Sequence, residues 1–420
     1  MIELELMGKN ARRAARLMAA VPDSQRNLFL TGLASALKER AEEILVANRQ
    51  DIEFGRRAGL DDALIDRLAL NPSHIAAMTA DLKTLAAMPD PIGKIIDERV
   101  AANGIHASRV RVPLGVIAVI YEARPNVTVD ISALGLKSGN VVILRGGKET
   151  ITTNLCLVNI IHSVLKACDL PADAVQFIDD ADRALVTQLV KMDKFVDMLI
   201  PRGGNNLQQF CKQEATMPVM LGGIGICHLY VDASADPERA LAVIQNAKVQ
   251  RPTVCNALDT LLVNQEIAAD FIPRVAASLY SDGVSLRLDP SSQPFLALDA
   301  EKGILPAQEN DFDTEWLSLV LGIKVVPDLE TAIEHIWQHS TFHSDGILTE
   351  TNEHARQFVT QVDSAVVYVN ASTRFSDGSQ LGLGGEVAVS TQRLHARGPI
   401  GLEGLTTYKW VVHGDYTVRS

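Results

Sequence analysis

Residues Gln250-Arg251-Pro252-Thr253-Val254-Cys255-Asn256 place a cysteine just after a proline-stiffened turn and just before an apolar run, Leu261-Leu262-Val263. A thiol at such a junction can meet a substrate, whereas one inside a helix or strand is usually packed away. The thiolate is a strong nucleophile near neutral pH, and neighbouring Lys248 and Arg251 could favour that charged form. As a nucleophile, Cys255 would make the chain an enzyme acting on acyl or aldehyde carbon. A lone cysteine is equally at home as a small buried hydrophobe, and spacing alone does not separate the two.

Two further stretches share a design of strand, basic residue, glycine pair and helix. Leu144-Arg145-Gly146-Gly147-Lys148-Glu149-Thr150 has cations suited to a phosphate and glycines that allow close backbone approach. It lacks the first glycine of a magnesium-nucleotide loop, and Glu149 stands where that loop needs Ser or Thr. Ile200-Pro201-Arg202-Gly203-Gly204-Asn205 repeats the pattern. On one sheet, the two loops would line one carboxyl edge, where nucleotides bind in open α/β folds. A plain turn with exposed charges is the competing reading for each. Leu221-Gly222-Gly223-Ile224-Gly225 fails the dinucleotide fingerprint, because His228 replaces its last glycine. In Tyr121-Glu122-Ala123-Arg124-Pro125-Asn126, Asn126 either donates to an oxyanion or caps a helix.

His335, His339 and His343 recur every four residues beside Glu334, a spacing that could hold a metal but reads better as a solvated helix face. No metal site is expected. Arg374, after a strand, and Arg397, in His395-Ala396-Arg397-Gly398-Pro399, could each grip a carboxylate; a structural role is favoured for Arg397.

The elements that position these residues follow from periodicity. The first hundred residues read as helical, with one helix over Asn27–Val46 and a helix entry at Asn71-Pro72-Ser73. Residues 95–112 read as a hairpin turning at Asn103-Gly104. From Pro113 strands and helices alternate. The strands are expected at 116–121, 140–144, 174–178 and 198–200, with helices at 127–137 and 154–168. A second α/β unit starts near His228, with strands at 228–231, 260–263, 322–326 and 365–369 and helices at 237–248 and 329–339. Residues 386–401 read as loop. The β-rich tail, 406–418, could pair with the hairpin on the same or a partner subunit.

With 420 residues, 47% hydrophobic and 21% charged, the chain can bury a large core in two or three domains. A net charge of -12 disfavours nucleic acid and anionic membrane as partners. Five widely spaced cysteines argue against a disulfide framework and for a reducing compartment, the cytoplasm. No apolar run reaches membrane-span length.

An Asn loop after a strand, a basic glycine loop, a Leu-Gly-Gly motif and then a lone Cys, in that order, resemble the aldehyde dehydrogenase superfamily. Within it, five runs resemble the gamma-glutamyl phosphate reductases: residues 119–130 (VIYEARPNVTVD), 143–149 (ILRGGKE), 200–204 (IPRGG), 368–375 (YVNASTRF) and 395–399 (HARGP). The similarity runs from about Glu5 to the C-terminus.

The resemblance implies an aldehyde-dehydrogenase-like α/β fold in three parts. These are a doubly wound NADP-binding domain (1–95 and 113–227), an α/β catalytic domain (228–403) and a small β oligomerisation element (96–112 and 404–420). It implies reduction of L-glutamyl 5-phosphate by NADPH to L-glutamate 5-semialdehyde, with phosphate release, in proline biosynthesis. Cys255 is then the nucleophile, with Asn126 and the Cys255 backbone N–H as oxyanion hole. Arg145 and Lys148 match positions that hold the adenosine ribose, their charges suiting a 2′-phosphate, and Gly147 and Gly203 lie in the same cofactor loops. Glu315 matches a contact to the nicotinamide ribose, and Arg374 is assigned to the anionic substrate. Hydrolytic members carry a Glu before Leu-Gly-Gly; Met220 stands there instead, so water attack on a thioester should be slow. A homo-oligomer is expected, and the glutamate 5-kinase that supplies the substrate is a candidate partner. Two other readings compete: a CoA-acylating or other thiol-dependent aldehyde dehydrogenase, and a nucleotide-binding protein that has lost catalysis.

Overall fold

The N-terminal segment folds as its apolar spacing requires, into α1 (Leu4–Met18), α2 (Asp23–Glu39), α3 (Ala41–Arg57), α4 (Asp62–Leu68) and α5 (Pro72–Ala87). In this computed structural model, which describes residues 3–419, the Asn71 side chain accepts the His74 N–H and Pro72 fills the first turn of α5. The helix expected over Asn27–Val46 is divided at Arg40, whose backbone leaves the helical region. Arg40 turns its guanidinium onto Glu43 at 2.7 and 2.8 Å, and the acidic start of α3 suits a helix N-terminus.

β1 (Ile95–Val100) and β2 (His106–Pro113) form the expected hairpin, with Gly104 at φ +81 in its turn. The C-terminal strand Thr406–His413 pairs antiparallel with β2 of the same chain, from Thr406 opposite Pro113 to His413 opposite His106. A parallel four-stranded sheet follows: β3 (Val116–Tyr121), β4 (Val141–Arg145), β5 (Val175–Phe177) and β6 (Met198–Arg202), in the order β5-β4-β3-β6. All six side chains of β3 are buried, as their unbroken apolar character demands. Its helices are α6 (Asn126–Lys137), α7 (Ile151–Ala167), α8 (Arg183–Leu189) and α9 (Asn205–Glu214). The chain winds outward from β3 in both directions, so the strand order reverses between β3 and β6. These elements make one compact unit, which ends at Gly222 and takes in Gly382–Ala388 and the C-terminal segment from Ile400.

The other unit comprises Gly223–Leu381 and Val389–Pro399. Its elements are β7 (Cys227–Val231), α10 (Pro237–Val249), β8 (Leu258–Asn264), α11 (Gln265–Tyr280), β9 (Ser285–Leu288), β10 (Ile304–Pro306), β11 (Val320–Val326), α12 (Leu329–His339), β12 (Ser344–Leu348), α13 (Asn352–Gln361) and β13 (Val366–Val369). The seven strands are parallel, in the order β10-β9-β11-β8-β7-β12-β13. Alternate residues of β7 feed opposite faces: Leu229 and Val231 pack with Ile244 and Phe271, Tyr230 with Ile333, Ile336 and Phe358.

Three strands of this sheet escape the sequence pattern. β9 and β10 are short, and β12 begins Ser-Asp-Gly, which reads as a turn. Its polar residues are nonetheless fully buried, because Asp345 accepts from the His228 N–H (2.9 Å), His228 Nδ1 (3.0 Å), Ser340 (2.6 Å) and Ser364. Residues 386–401, expected as loop, contain two short strands, Val389–Ser390 and Gly398–Pro399, paired antiparallel.

Candidate active site

Cys255 lies in the irregular turn between α10 and β8. Asp236 caps α10 by accepting the N–H groups of Glu238 and Arg239, which fixes where that helix starts. The turn beyond it is clamped from three sides. Gly225 presses against the Cys255 carbonyl so closely that an added Cβ would lie 1.4 Å from its oxygen. The Cys227 thiol donates to the same carbonyl at 3.3 Å. Asn256, almost fully buried, donates through Nδ2 to the carbonyls of Arg374 (3.4 Å) and Ser376 (3.2 Å), and its own carbonyl accepts from Thr373 Oγ1 at 2.7 Å. The nucleophile candidate is therefore held by the close approach of Gly225 and by the side chains of Cys227 and Asn256 rather than by a helix or strand of its own.

Of the five cysteines, Cys255 is partly exposed and the other four are buried. Burial pushes the thiols of Cys156 and Cys211 up to about 11 and that of Cys227 well above the ordinary range. Burial raises the Cys168 thiol as well, so all four are shifted away from the thiolate form.

The cation expected from Lys248 is spent elsewhere. Its ammonium is fully buried, donates to the Leu258 carbonyl at 2.8 Å and pairs with Asp259 at 3.5 Å. Burial holds the Asp259 carboxyl up at about 7 and the Lys248 ammonium down. Arg251, by contrast, is exposed. The half-buried Arg374 donates through Nε to Gln250 Oε1 at 2.8 Å. Burial pulls its guanidinium down most, then the like charge of Arg251, while Asp377 and the Cys255 thiol raise it. Arg251 of the α10–β8 turn and Arg374 of the segment after β13 thus act on each other, an arrangement that favours an anion. The Asn256 Oδ1 is buried without a partner.

Glu315 is held by the segment that leads into β7. Its Oε1 accepts the Gly225 N–H at 2.9 Å, and burial raises its carboxyl. Arg397 is a structural cation, as its setting suggested: it grips the side-chain carboxylate of Asp363 at 2.7 Å and the Asp363 carbonyl.

In the first unit, Asn126 is the opening residue of α6, and Pro125 occupies the cap position. Asn126 is therefore not the helix cap; its Nδ2 donates to Asp130 at 2.8 Å. Arg145 ends β4, half-buried, with its guanidinium donating to the carbonyls of Gly146 (3.0 Å) and Ala181 (3.1 Å) and its Nε buried without a partner. Lys148 is exposed beside it. Space beside Gly147 is filled by Glu149, and space beside Gly203 by Glu122, whose carboxylate also accepts the Gly204 N–H at 2.9 Å. The chain's own carboxylates use the room these glycines provide. The orphaned Arg145 Nε and the Lys148 ammonium fit an anionic group of a nucleotide; Glu122 fits hydroxyls better than phosphate.

The three histidines form neither a metal site nor a solvated face. His335 and His343 are buried, which drives the His335 imidazole far down and that of His343 to about 4. His339 bonds Asp313 at 2.8 Å. Among the described residues, no group of three or more His, Cys, Asp or Glu is placed to hold a metal, and no helix is long and apolar enough to cross a membrane.

Sequence reasoning missed Gly225, Cys227, Asn256, Thr373 and Asp130. Gly225 did belong to a visible glycine cluster, but its use is to admit the Cys255 carbonyl rather than a phosphate. The partners of Asn256 lie some 117 residues on and leave no local signal.

The aldehyde dehydrogenase family model matches residues 3–293. A gamma-glutamyl phosphate reductase of Shewanella piezotolerans is 54% identical, over 99% of this chain and 98% of its own length. One from Yersinia pestis is 51% identical over 99% of each. The crystal structure of gamma-glutamyl phosphate reductase from Thermotoga maritima matches all of both chains with a TM-score of 0.95 at 44% identity.

Proposed function

The chain belongs to the aldehyde dehydrogenase family and, within it, to the gamma-glutamyl phosphate reductases, and we propose that it converts L-glutamyl 5-phosphate to L-glutamate 5-semialdehyde through a thioester on Cys255. One structural observation supports the nucleophile: of five cysteines, Cys255 alone is partly exposed, in a turn held by Gly225, Cys227 and Asn256. Its thiolate attacks the acyl carbon, the C–O bond to phosphate breaks, and phosphate leaves with the bonding pair. Asn126 is assigned the developing oxyanion, together with the Cys255 backbone N–H. The nicotinamide cofactor, when bound, supplies hydride.

The chain's task is to keep the thioester from water until it is reduced. The position that carries a general base in hydrolytic relatives holds Met220, an apolar and fully buried side chain. NADPH is the proposed reductant: the cations Arg145 and Lys148 share one strand-end loop, and their charges suit a 2′-phosphate. Gly147 and Gly203 stand in the loops assigned to the cofactor, and Glu315 is assigned to the nicotinamide ribose. Arg374, beside Arg251, is assigned to the anionic substrate.

A homo-oligomer is proposed through the hairpin sheet, whose surface exposes Tyr408, Trp410 and Val412. The cytoplasm is the proposed compartment, and the kinase that makes the acyl phosphate a proposed partner.

The reverse reaction tests the substrate class. With glutamate semialdehyde and NADP+, the rate should rise with inorganic phosphate and ignore CoA. CoA dependence without phosphate dependence would instead place the chain among acylating aldehyde dehydrogenases.

A further inference from the structure

α6 is buried along nearly its whole length, with Val127, Thr128, Val129 and every residue of Ile131–Lys137 packed away. One acidic residue interrupts it: Asp130, partly buried. A carboxylate so placed costs stability unless its charge is used. Burial pushes the Asp130 carboxyl up to about 6. Asp81 of α5 pushes the same way, and only the Asn126 hydrogen bond and Arg202, at the end of β6, oppose them. Among the described residues, the one partner the carboxylate holds by a hydrogen bond is Asn126 Nδ2, one helical turn back, at 2.8 Å.

We propose that Asp130 is a positioning residue that fixes the Asn126 carboxamide with its N–H end forward, so that the second Nδ2 hydrogen is presented to the acyl oxygen. The inference rests on the reading of Asn126 as oxyanion donor. The two ends of a carboxamide have nearly the same shape but opposite hydrogen-bonding sense. An untethered Asn126 would offer its oxygen to the substrate part of the time, and that oxygen repels an oxyanion. An ionised carboxylate only accepts, so it selects the NH2 end and leaves one N–H to spare. A protonated Asp130 selects neither end, because its O–H can donate to the amide oxygen. Orientation is therefore lost as Asp130 gains a proton. Asp81 and Arg202, the charged groups that act on it, set where that happens.

The test compares Asp130→Asn, Asp130→Glu and Asn126→Ala in the full-length enzyme, by kcat, both KM values and acid-to-neutral pH profiles. Asp130→Asn should lower kcat by about 10- to 100-fold, a misorientation penalty rather than the full loss of a donor. Both KM values should stay within about twofold. The acid limb of the kcat profile near pH 6 should disappear. The melting temperature at neutral pH should rise rather than fall, since a partly buried charge is removed. Asp130→Glu should restore much of kcat and keep an acid limb. Wild-type kcat in Asp130→Asn, or an unmoved profile in that variant, overturns the positioning role. If Asn126→Ala is itself fully active, the reading of Asn126 fails instead. If Asn126→Ala is dead while Asp130→Asn is normal, only Asp130 is misassigned. Should Asp130→Asn fold poorly, a Glu variant that folds but lacks the acid limb is enough to refute the proposal.

Discussion

Gly225→Ala is a one-methyl perturbation with a calculable consequence. The new Cβ would lie 1.4 Å from the Cys255 carbonyl oxygen, 2.5 Å from its carbon and 3.2 Å from its Cα. These are backbone atoms, so no side-chain rotation relieves the clash. Reaching an ordinary separation of about 3 Å requires the carbonyl, or the strand entry that carries Gly225, to withdraw by roughly 1.6 Å in a close-packed interior. Neither side moves freely. Gly225 is tied to Glu315 at 2.9 Å, the Cys255 carbonyl to the Cys227 thiol at 3.3 Å, and Asn256 to the segment around Arg374. A shift of about 1 Å in a reacting group can cost on the order of 100-fold in rate. The expected loss in kcat is therefore at least about 100-fold, with a stability penalty of about 1 to 3 kcal/mol. Phosphate-dependent NADP+ reduction measures the first, thermal melting the second, and iodoacetamide labelling of the Cys255 peptide reports whether the thiol has moved. A folded Gly225→Ala enzyme with near-wild-type turnover and labelling would refute the claim that this backbone contact places the nucleophile.

Two further outcomes are expected. On the proposed role of Arg374 in substrate binding, Arg374→Ala should raise KM for the anionic substrate by about tenfold or more, with a smaller change in kcat; an unchanged KM would remove Arg374 from the proposed substrate site. The Asp130 carboxyl, held at about 6 in the fold against an ordinary 3.8, makes the folded state bind more protons in that interval. Its contribution to stability is full below pH 3.8 and is lost as pH rises through about 6. Asp130→Asn should accordingly gain about 1 to 3 kcal/mol at neutral pH and little at pH 4, measured by denaturant titration at both.

Legibility in the sequence tracked how local each cause was. β3 and α12 have the expected bounds because an unbroken apolar run and a regular apolar stripe each admit one structure. The entry of α5 was equally plain, since Asn71 and Pro72 act within one turn. β12 was hidden because its Ser, Asp and Gly are satisfied by residues of β7 and by Ser340 and Ser364, none of them sequence neighbours. The histidines misled for a related reason: four-residue spacing is helical, but α12 ends at His339, and His343 belongs to the approach to β12. At the candidate site, the proline turn keeps Cys255 out of helix and strand, while Lys248, at the end of α10, is the buried partner of Asp259. Proximity along the chain says little about which charge a thiol will meet when a helix end intervenes.

Acyl phosphate mixed with enzyme in the absence of any reductant, quenched in acid and digested, reveals by mass spectrometry where the glutamyl group rests. The Cys255 peptide should carry it, as a hydroxylamine-sensitive adduct absent from Cys255→Ser. A turnover-competent enzyme with that peptide unmodified, or with the adduct on another residue, would contradict thioester chemistry at Cys255.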